Sequence, residues 1–337
     1  MAQGWFIVDA HNQFIPREAV PKSLGTVRDL TKLEPTSGFK NSLDMEKRFE
    51  VMDQVGVDMA VTHMASLNIL GLEFCKAMND GNARLAKEYP HRTIALAHIP
   101  LDVGSSKEGL KELDRSIQEL GLKGVALETS TEKLTLGSEE LSPMFEKIQK
   151  LDVPVVIHPA NLRVSGIGTG MRLNMSKQIG VELEITSACV EVMFGPLARF
   201  PNLKFLLPHH GGALPLWQGR MKLTYVPDGF PVPEALKNQP KTPRIRKQLG
   251  LDKPFQDILD KLYFDISGFG GWMPITNNAI SIIGPQHLCF GSDYGFEMND
   301  PVDIKLFVDN IKKLDMPEQD RRNILGENIR TLFKLKK

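Results

Sequence analysis

Four short apolar runs in this chain stop in the same manner, each giving way to a side chain that can bind a metal or move a proton. They are Ile7-Val8-Asp9-Ala10-His11, Val155-Val156-Ile157-His158, Phe205-Leu206-Leu207-Pro208-His209, and Leu288-Cys289-Phe290 leading into Gly291-Ser292-Asp293. Short apolar runs bounded by turn formers read as buried strands. A charge at the end of such a strand is desolvated unless a partner meets it, and an unpaired buried charge is too costly to keep. Polar groups at the C-terminal ends of several separate strands are what a β/α-barrel active site requires.

The rest of the chain supplies the alternation that this fold needs. Strands are expected at residues 5–11, 59–63, 93–98, 124–128, 153–158, 203–208, 262–266 and 288–290. Leu43, Phe49, Met52 and Val55 recur at helical spacing and Gly56 ends the helix. Further helices are expected over 72–89, 106–120, 139–151 and 180–200, with two more, 302–313 and 318–333, closing the chain. Strands alternating with helices imply parallel strands joined by crossover helices. About eight such units predict an α/β fold, a closed (β/α)8 TIM barrel. An open doubly wound sheet would be supported by a G-x-G-x-x-G turn, and none follows a strand here. The expectation is one domain over residues 1–337, with a proline-rich basic insertion at about 225–250.

Lys+Arg and Asp+Glu number 41 each, so no global charge draws the chain to nucleic acid or a membrane surface. No apolar run is long enough to span a bilayer, and the first residues lack a basic segment followed by an apolar one. The odd set Cys75, Cys189 and Cys289 lies in apolar or helical patterns and reads as reduced core thiols. A cytoplasmic protein with a small-molecule partner is expected.

His11, His158 and Asp293 together offer two imidazoles and a carboxylate to one divalent metal, leaving positions open for water and substrate. His209, before Gly211-Gly212, reads as a general base on metal-bound water, beside bare backbone that lets a substrate approach. Glu128, ending the fourth strand, is a further candidate ligand or acid, and Asp265, ending the seventh, is expected to orient a ligand or a loop. His63, His98 and His210 read as packing residues, and His91 and His287 as solvated ones. Arg48, Arg163 and Arg220 are candidate carboxylate clamps, because a guanidinium fork binds a carboxylate bidentately. Arg172 reads as solvated surface.

Four segments, in this order and spacing, carry a family resemblance: Met52-Asp53-Gln54-Val55-Gly56-Val57, Val156-Ile157-His158-Pro159, His209-His210-Gly211-Gly212-Ala213-Leu214-Pro215 and Gly291-Ser292-Asp293-Tyr294. The chain resembles the amidohydrolase superfamily, in its branch of 2-amino-3-carboxymuconate-6-semialdehyde decarboxylase and relatives. The resemblance implies a (β/α)8 TIM barrel of metal-dependent hydrolase type, with one divalent metal. It implies His158 and Asp293 as metal ligands, His209 as the residue activating bound water, and Arg48 and Arg220 as substrate-carboxylate arginines. It also implies a homodimer or higher homo-oligomer. The family pattern His-x-His on the first strand is His11-Asn12-Gln13 here. Gln13 can ligate through its amide oxygen, a harder and weaker donor than imidazole, which moves the expected ion from zinc toward manganese or magnesium.

The function expected is therefore metal-dependent, non-oxidative decarboxylation of a small anionic aromatic or muconate-like acid. Whether hydroxide adds to the carbon skeleton or Asp293 delivers a proton to the carbon losing CO2 stays open. The same site could instead hydrolyse a lactone, ester or amide with His209 as base. A third reading is an inactive, metal-poor homologue that serves as a binding protein.

Overall fold

In a computed structural model, residues 4–20, 38–160, 174–217 and 258–336 are described. The strands are β1 (Val8–Gln13), β2 (Met59–His63), β3 (Thr93–Ala95), β4 (Ala97–His98), β5 (Val125–Glu128), β6 (Val155–His158), β7 (Phe205–Leu207), β8 (Leu262–Asp265) and β9 (Leu288–Cys289). Only Leu96 separates β3 from β4, so the two are one interrupted strand. Counting β3 and β4 as one, each strand from β1 to β8 pairs in parallel with the next in sequence. The ring closes where Ala10 N donates to Phe290 O at 2.8 Å and Gln13 N donates to Tyr294 O at 2.9 Å. The result is the expected (β/α)8 barrel.

Helices α1 (Met45–Val55), α2 (Leu72–Glu88), α3 (Lys107–Asp114), α4 (Ser142–Leu151), α5 (Asn174–Phe194), α6 (Met273–Ile282) and α7 (Pro301–Lys312) belong to the outer layer. Local chemistry sets several of their ends. Asp44 caps α1 by accepting from Lys47 N at 2.9 Å, and Gly56 stops it in the left-handed region. Ser106 caps α3 through Gly109 N. No helix of the described residues is long and apolar enough to cross a membrane.

The strands are apolar and buried on both faces, as parallel strands covered by helices must be. Alternate residues sort into two clusters. Ala60, Val125, Leu127, Val155, Ile157, Phe205 and Leu207 face the helices. Val8, Ala10, Val61, Leu96, Ala126, Val156, Leu206 and Cys289 fill the barrel interior, with Ile329, Leu332 and Phe333 against them. Side chains repeat every two residues along a strand. The layer above Val61, Leu96, Ala126 and Val156 is therefore His63, His98, Glu128 and His158, and all four are buried.

β1 departs from that period. Its pairing with β2 shifts between Asp9 and Asn12, so one extra residue bulges there. A bulge exchanges the faces of everything beyond it. Asp9 pairs in register with outward Ala60, whereas Gln13 pairs with inward His63. The run Val8-Asp9-Ala10-His11-Asn12-Gln13 thus serves the outer layer with Asp9 and the barrel mouth with His11 and Gln13.

Element edges differ from the sequence reading by a few residues. β1 begins at Val8 rather than at 5, because pairing with β2 starts there. Trp5 instead stacks on Arg322, whose guanidinium lies 4.5 Å from the ring centre. The segment expected at 106–120 is helical over 107–119, and its last turn, Arg115–Glu119, widens to a π-helix. The proposed insertion at 225–250 lies outside the described residues.

Candidate active site

His11 and His158 are fixed by their own Nδ1 atoms. His11 Nδ1 lies 2.9 Å from Asp265 Oδ2, and His158 Nδ1 lies 2.8 Å from the carbonyl of Pro159. Carboxylate and carbonyl oxygens only accept, so both rings carry the proton on Nδ1 and present a lone pair at Nε2. Those Nε2 atoms point toward the same small volume. Gln13 Nε2 is 2.7 Å from His158 Nε2 and donates to Asp293 Oδ1 at 2.9 Å. His11 Nε2 stands 3.4 Å from the same Asp293 oxygen.

Asp265 is the anchor beneath this group. It accepts from His11, from His209 N at 3.1 Å, and from the backbone and hydroxyl of Ser267. Burial favours its neutral acid, yet the His11 and His209 charges and these hydrogen bonds hold the carboxyl well below the usual range. Burial likewise opposes charging of His11, but Asp265 and Asp293 outweigh it and raise its pKa.

His209 completes the mouth. Its Nδ1 is 2.8 Å from Glu182 Oε1, and its Nε2 is 4.0 Å from Asp293 Oδ2. Burial works against a proton here; the hydrogen bond and charge of Glu182, then Asp293 and Asp265, push His209 up to about 9. A cation bound alongside works the other way. His209, His210 and Asp293 have φ of 52°, 57° and 49°. Non-glycine residues rarely adopt such values, which concentrate at sites where side-chain aim outranks backbone comfort.

The donor set fits a divalent ion. Ligating atoms of His11, His209 and Asp293 lie within 4.8 Å of one another. Among the described residues, His11 Nε2 and Gln13 Oε1 are buried without a hydrogen-bond partner. Leaving such atoms unsatisfied costs about 1–3 kcal/mol each, and a cation is the partner that imidazole lone pairs and an amide oxygen share. Above the cluster opens a cavity of about 830 Å³. Gln13, His158, His209 and Asp293 form its floor, Ile179, Leu183, Leu216, Phe269, Ile275 and Phe296 its apolar wall, and Glu182 and Glu297 its polar rim. Among the described residues no lysine or arginine lines it.

Two expected site residues lie elsewhere. Glu128 is not a member of the metal cluster: its oxygens accept from Leu101 N at 2.9 Å and Asn68 Nδ2 at 2.8 Å. Arg48 does not reach the cavity. It is 1% exposed, ion-paired with Asp9, and its guanidinium lies 4.4 Å from the Tyr294 ring centre. The bulge explains this: it leaves Asp9 facing the helices, where its buried charge needs a counter-ion, and α1 supplies Arg48. Arg163, Arg172 and Arg220 lie outside the described residues. His287 is buried rather than solvated, with Nδ1 3.1 Å from Leu262 O. His210 packs on Phe269 and meets Thr276 Oγ1 at 3.3 Å.

Two residues at the mouth had no distinguishing signal in the sequence. Glu182 reads as one more charge on a helix. Glu297 follows Asp293 by a turn and accepts from Gly268 N and Gly270 N at 2.6 Å each, pinning the loop after β8 against the site.

Comparison with known proteins places this geometry. The chain is 26% identical over 298 residues to 2-amino-3-carboxymuconate-6-semialdehyde decarboxylase of Dictyostelium discoideum, spanning 86% of this chain and 76% of that protein. It is 24% identical over 364 residues to 2-keto-4-carboxy-3-hexenedioate hydratase of a Sphingobium strain, spanning 97% and 96%. Its fold matches 5-carboxyvanillate decarboxylase of Novosphingobium aromaticivorans, solved with manganese and a nitrobenzoic acid, at a TM-score of 0.76. That match covers 99% of this chain and 97% of the other at 20% identity. The amidohydrolase family matches residues 8–335. With the barrel and the strand-end donor cluster in place over that whole span, the chain belongs to the amidohydrolase family.

Proposed function

We propose that this protein is a metal-dependent, non-oxidative decarboxylase of a small aromatic or muconate-like carboxylic acid. The observation that carries the proposal is the convergence of His11, His158, Gln13 and Asp293 beneath an apolar cavity, with His209 at its edge. The two relatives named as decarboxylases act on acids of this kind.

His11, Gln13, His158 and Asp293 would hold one divalent ion, manganese or zinc, with magnesium a further candidate. Bound there, the ion supplies a Lewis acid that orients and polarises the substrate's carboxylate and an adjacent oxygen. The protein does the rest. Phe269, Ile275 and Phe296 offer apolar surface to a planar ring or diene, and their contact keeps water away. His209 holds and releases a proton at Nε2, beside Asp293, within reach of a substrate on the cavity floor. Replacing CO2 on carbon by hydrogen needs such a proton source. Arg163 and Arg220 remain candidates for a second substrate carboxylate. We also propose one catalytic domain, a homodimer and a cytoplasmic location; the buried free thiols of Cys75, Cys189 and Cys289 agree with a reducing compartment.

The test is product analysis. Protein loaded with manganese or zinc is incubated with a panel of hydroxybenzoates and muconate-type acids. CO2 release with loss of one carboxyl group supports the proposal. Gain of one water without CO2, or lactone and ester cleavage, overturns it in favour of hydratase or hydrolase chemistry.

A further inference from the structure

Helix α5 reaches the site from one side of the barrel mouth, and its grip on the strands is unusually close. Glu184 accepts from Ala160 N at 2.7 Å and from the Thr129 hydroxyl, fastening the helix to the ends of β5 and β6. On the other side Gly212 sits so near the helix that a Cβ there would lie 2.3 Å from Glu182 O. The bare backbone of Gly212 therefore admits α5, in addition to bordering the cavity. This contact delivers Glu182 to His209.

The His209 ring is held on a second side as well. A Cβ on Gly268 would lie 2.3 Å from His209 Cγ, so the loop after β8 packs directly on the ring. Glu297 fixes that loop through Gly268 N and Gly270 N. Glu182 thus meets the ring at Nδ1 while Gly268 packs against it, and the backbone N of His209 is tied to Asp265. What stays open is Nε2, which faces Asp293 and the cavity.

We propose that Glu182 is the positioning residue of His209: by accepting a hydrogen bond from Nδ1–H it selects the tautomer and ring orientation that present Nε2 to the substrate. A carboxylate acting on the far nitrogen of an imidazole fixes both properties in this way. The helix that flanks the cavity thereby also aims the proton-transfer group. This rests on the reading above that His209 exchanges a proton with the substrate, and the first readout below does not depend on turnover.

The experiment compares wild type with Glu182→Ala and Glu182→Gln, all metal-loaded, by nitrogen-edited NMR of the histidine side chains and by steady-state kinetics. Wild type is expected to show a hydrogen-bonded, exchange-protected Nδ1 proton on His209, assigned by its absence in His209→Asn. Glu182→Ala should lose that signal and reduce kcat about 10- to 100-fold, with KM and metal content unchanged. Glu182→Gln, whose amide oxygen can still accept, should recover part of both. Retention of the signal in Glu182→Ala overturns the proposal, as does wild-type kcat in that variant. Loss of metal in Glu182→Ala overturns it too, since the glutamate would then be supporting the metal site. If no substrate is turned over by wild type, the NMR comparison still decides the positioning role, and the failure belongs to the functional reading.

Discussion

The two halves of the barrel mouth are built from the same kinds of residue and behave oppositely. On the side of β4 and β5, His98 and Glu128 end buried strands, as His158 does on the other side, where His11 and Gln13 close β1. Yet their polar atoms are already taken. His98 Nε2 accepts from Met64 N at 2.9 Å, and its backbone N donates to Asn79 at 2.6 Å. Asn68, Asn79 and Asn82 bring amides to Glu128, Glu112, His98 and the strand carbonyls. Burial without a charged partner lowers His98 to about 4, so it stays neutral. On the side of β1, β6 and β9, the Nδ1 atoms are satisfied and the Nε2 atoms are aimed inward together. A strand-end histidine or carboxylate is therefore not a site by itself. It becomes a candidate when its neighbours fix one end and turn the other toward a cavity, beside others turned the same way.

The comparison breaks most visibly at Asp293. Asp293→Ala removes the carboxylate shared by Gln13, His11 and His209, and is expected to lower metal content to background and CO2 release by about 10³-fold. Elemental analysis and a CO2 assay read both. A variant that keeps its metal and its rate would mean the free lone pairs do not converge on an ion.

The opposite half should answer in stability. Burial raises Glu128 to about 7 from 4.5. For an acid whose folded pKa is raised, its favourable contribution is complete below about pH 4.5 and is lost as pH climbs through 7. The loss approaches about 3 kcal/mol. Denaturant unfolding from pH 4.5 to 8.5 should show wild type losing stability relative to Glu128→Gln, with metal content equal in both. Metal loss in Glu128→Gln would erase the distinction between the halves.

The smallest effect sharpens the free half. Replacing an amide oxygen by imidazole in Gln13→His should tighten zinc binding about tenfold, or 1.4 kcal/mol, while changing manganese binding less. Competitive titration with a chromophoric chelator measures this. Equal zinc affinity would place Gln13 outside the ligand set.

Local pattern accounts for how much of the architecture could be read in advance. The helical spacing of Phe49, Met52 and Val55 with Gly56 behind it needs no distant partner to declare itself. Neither do the apolar runs 155–158 or 205–207. The positions of His11, His158, His209 and Asp293 at strand ends follow from the same local rule. Arg48 and Glu128 each look, over their own neighbours, like any barrel-mouth charge. In the fold each is engaged by a partner distant in the chain: Asp9 for the arginine, Asn68 and Leu101 for the glutamate. Glu182 has no local signal for the same reason, since its partner is His209 and nothing within α5 marks it.

The sequence by itself determined the alternation of strand and helix, the parallel order of the barrel, and a set of polar groups at its C-terminal edge. Hydrophobic periodicity and glycine or proline stops act over a few residues, so they are written in the chain directly. Only the tertiary structure decided which of those polar groups are satisfied and which are left to bind. One bulged residue in β1 sent Asp9 outward and Gln13 inward, and helix α5 carried Glu182 to His209. Both outcomes depend on hydrogen-bond partners brought together by folding, and a buried polar group takes its role from the partner it meets.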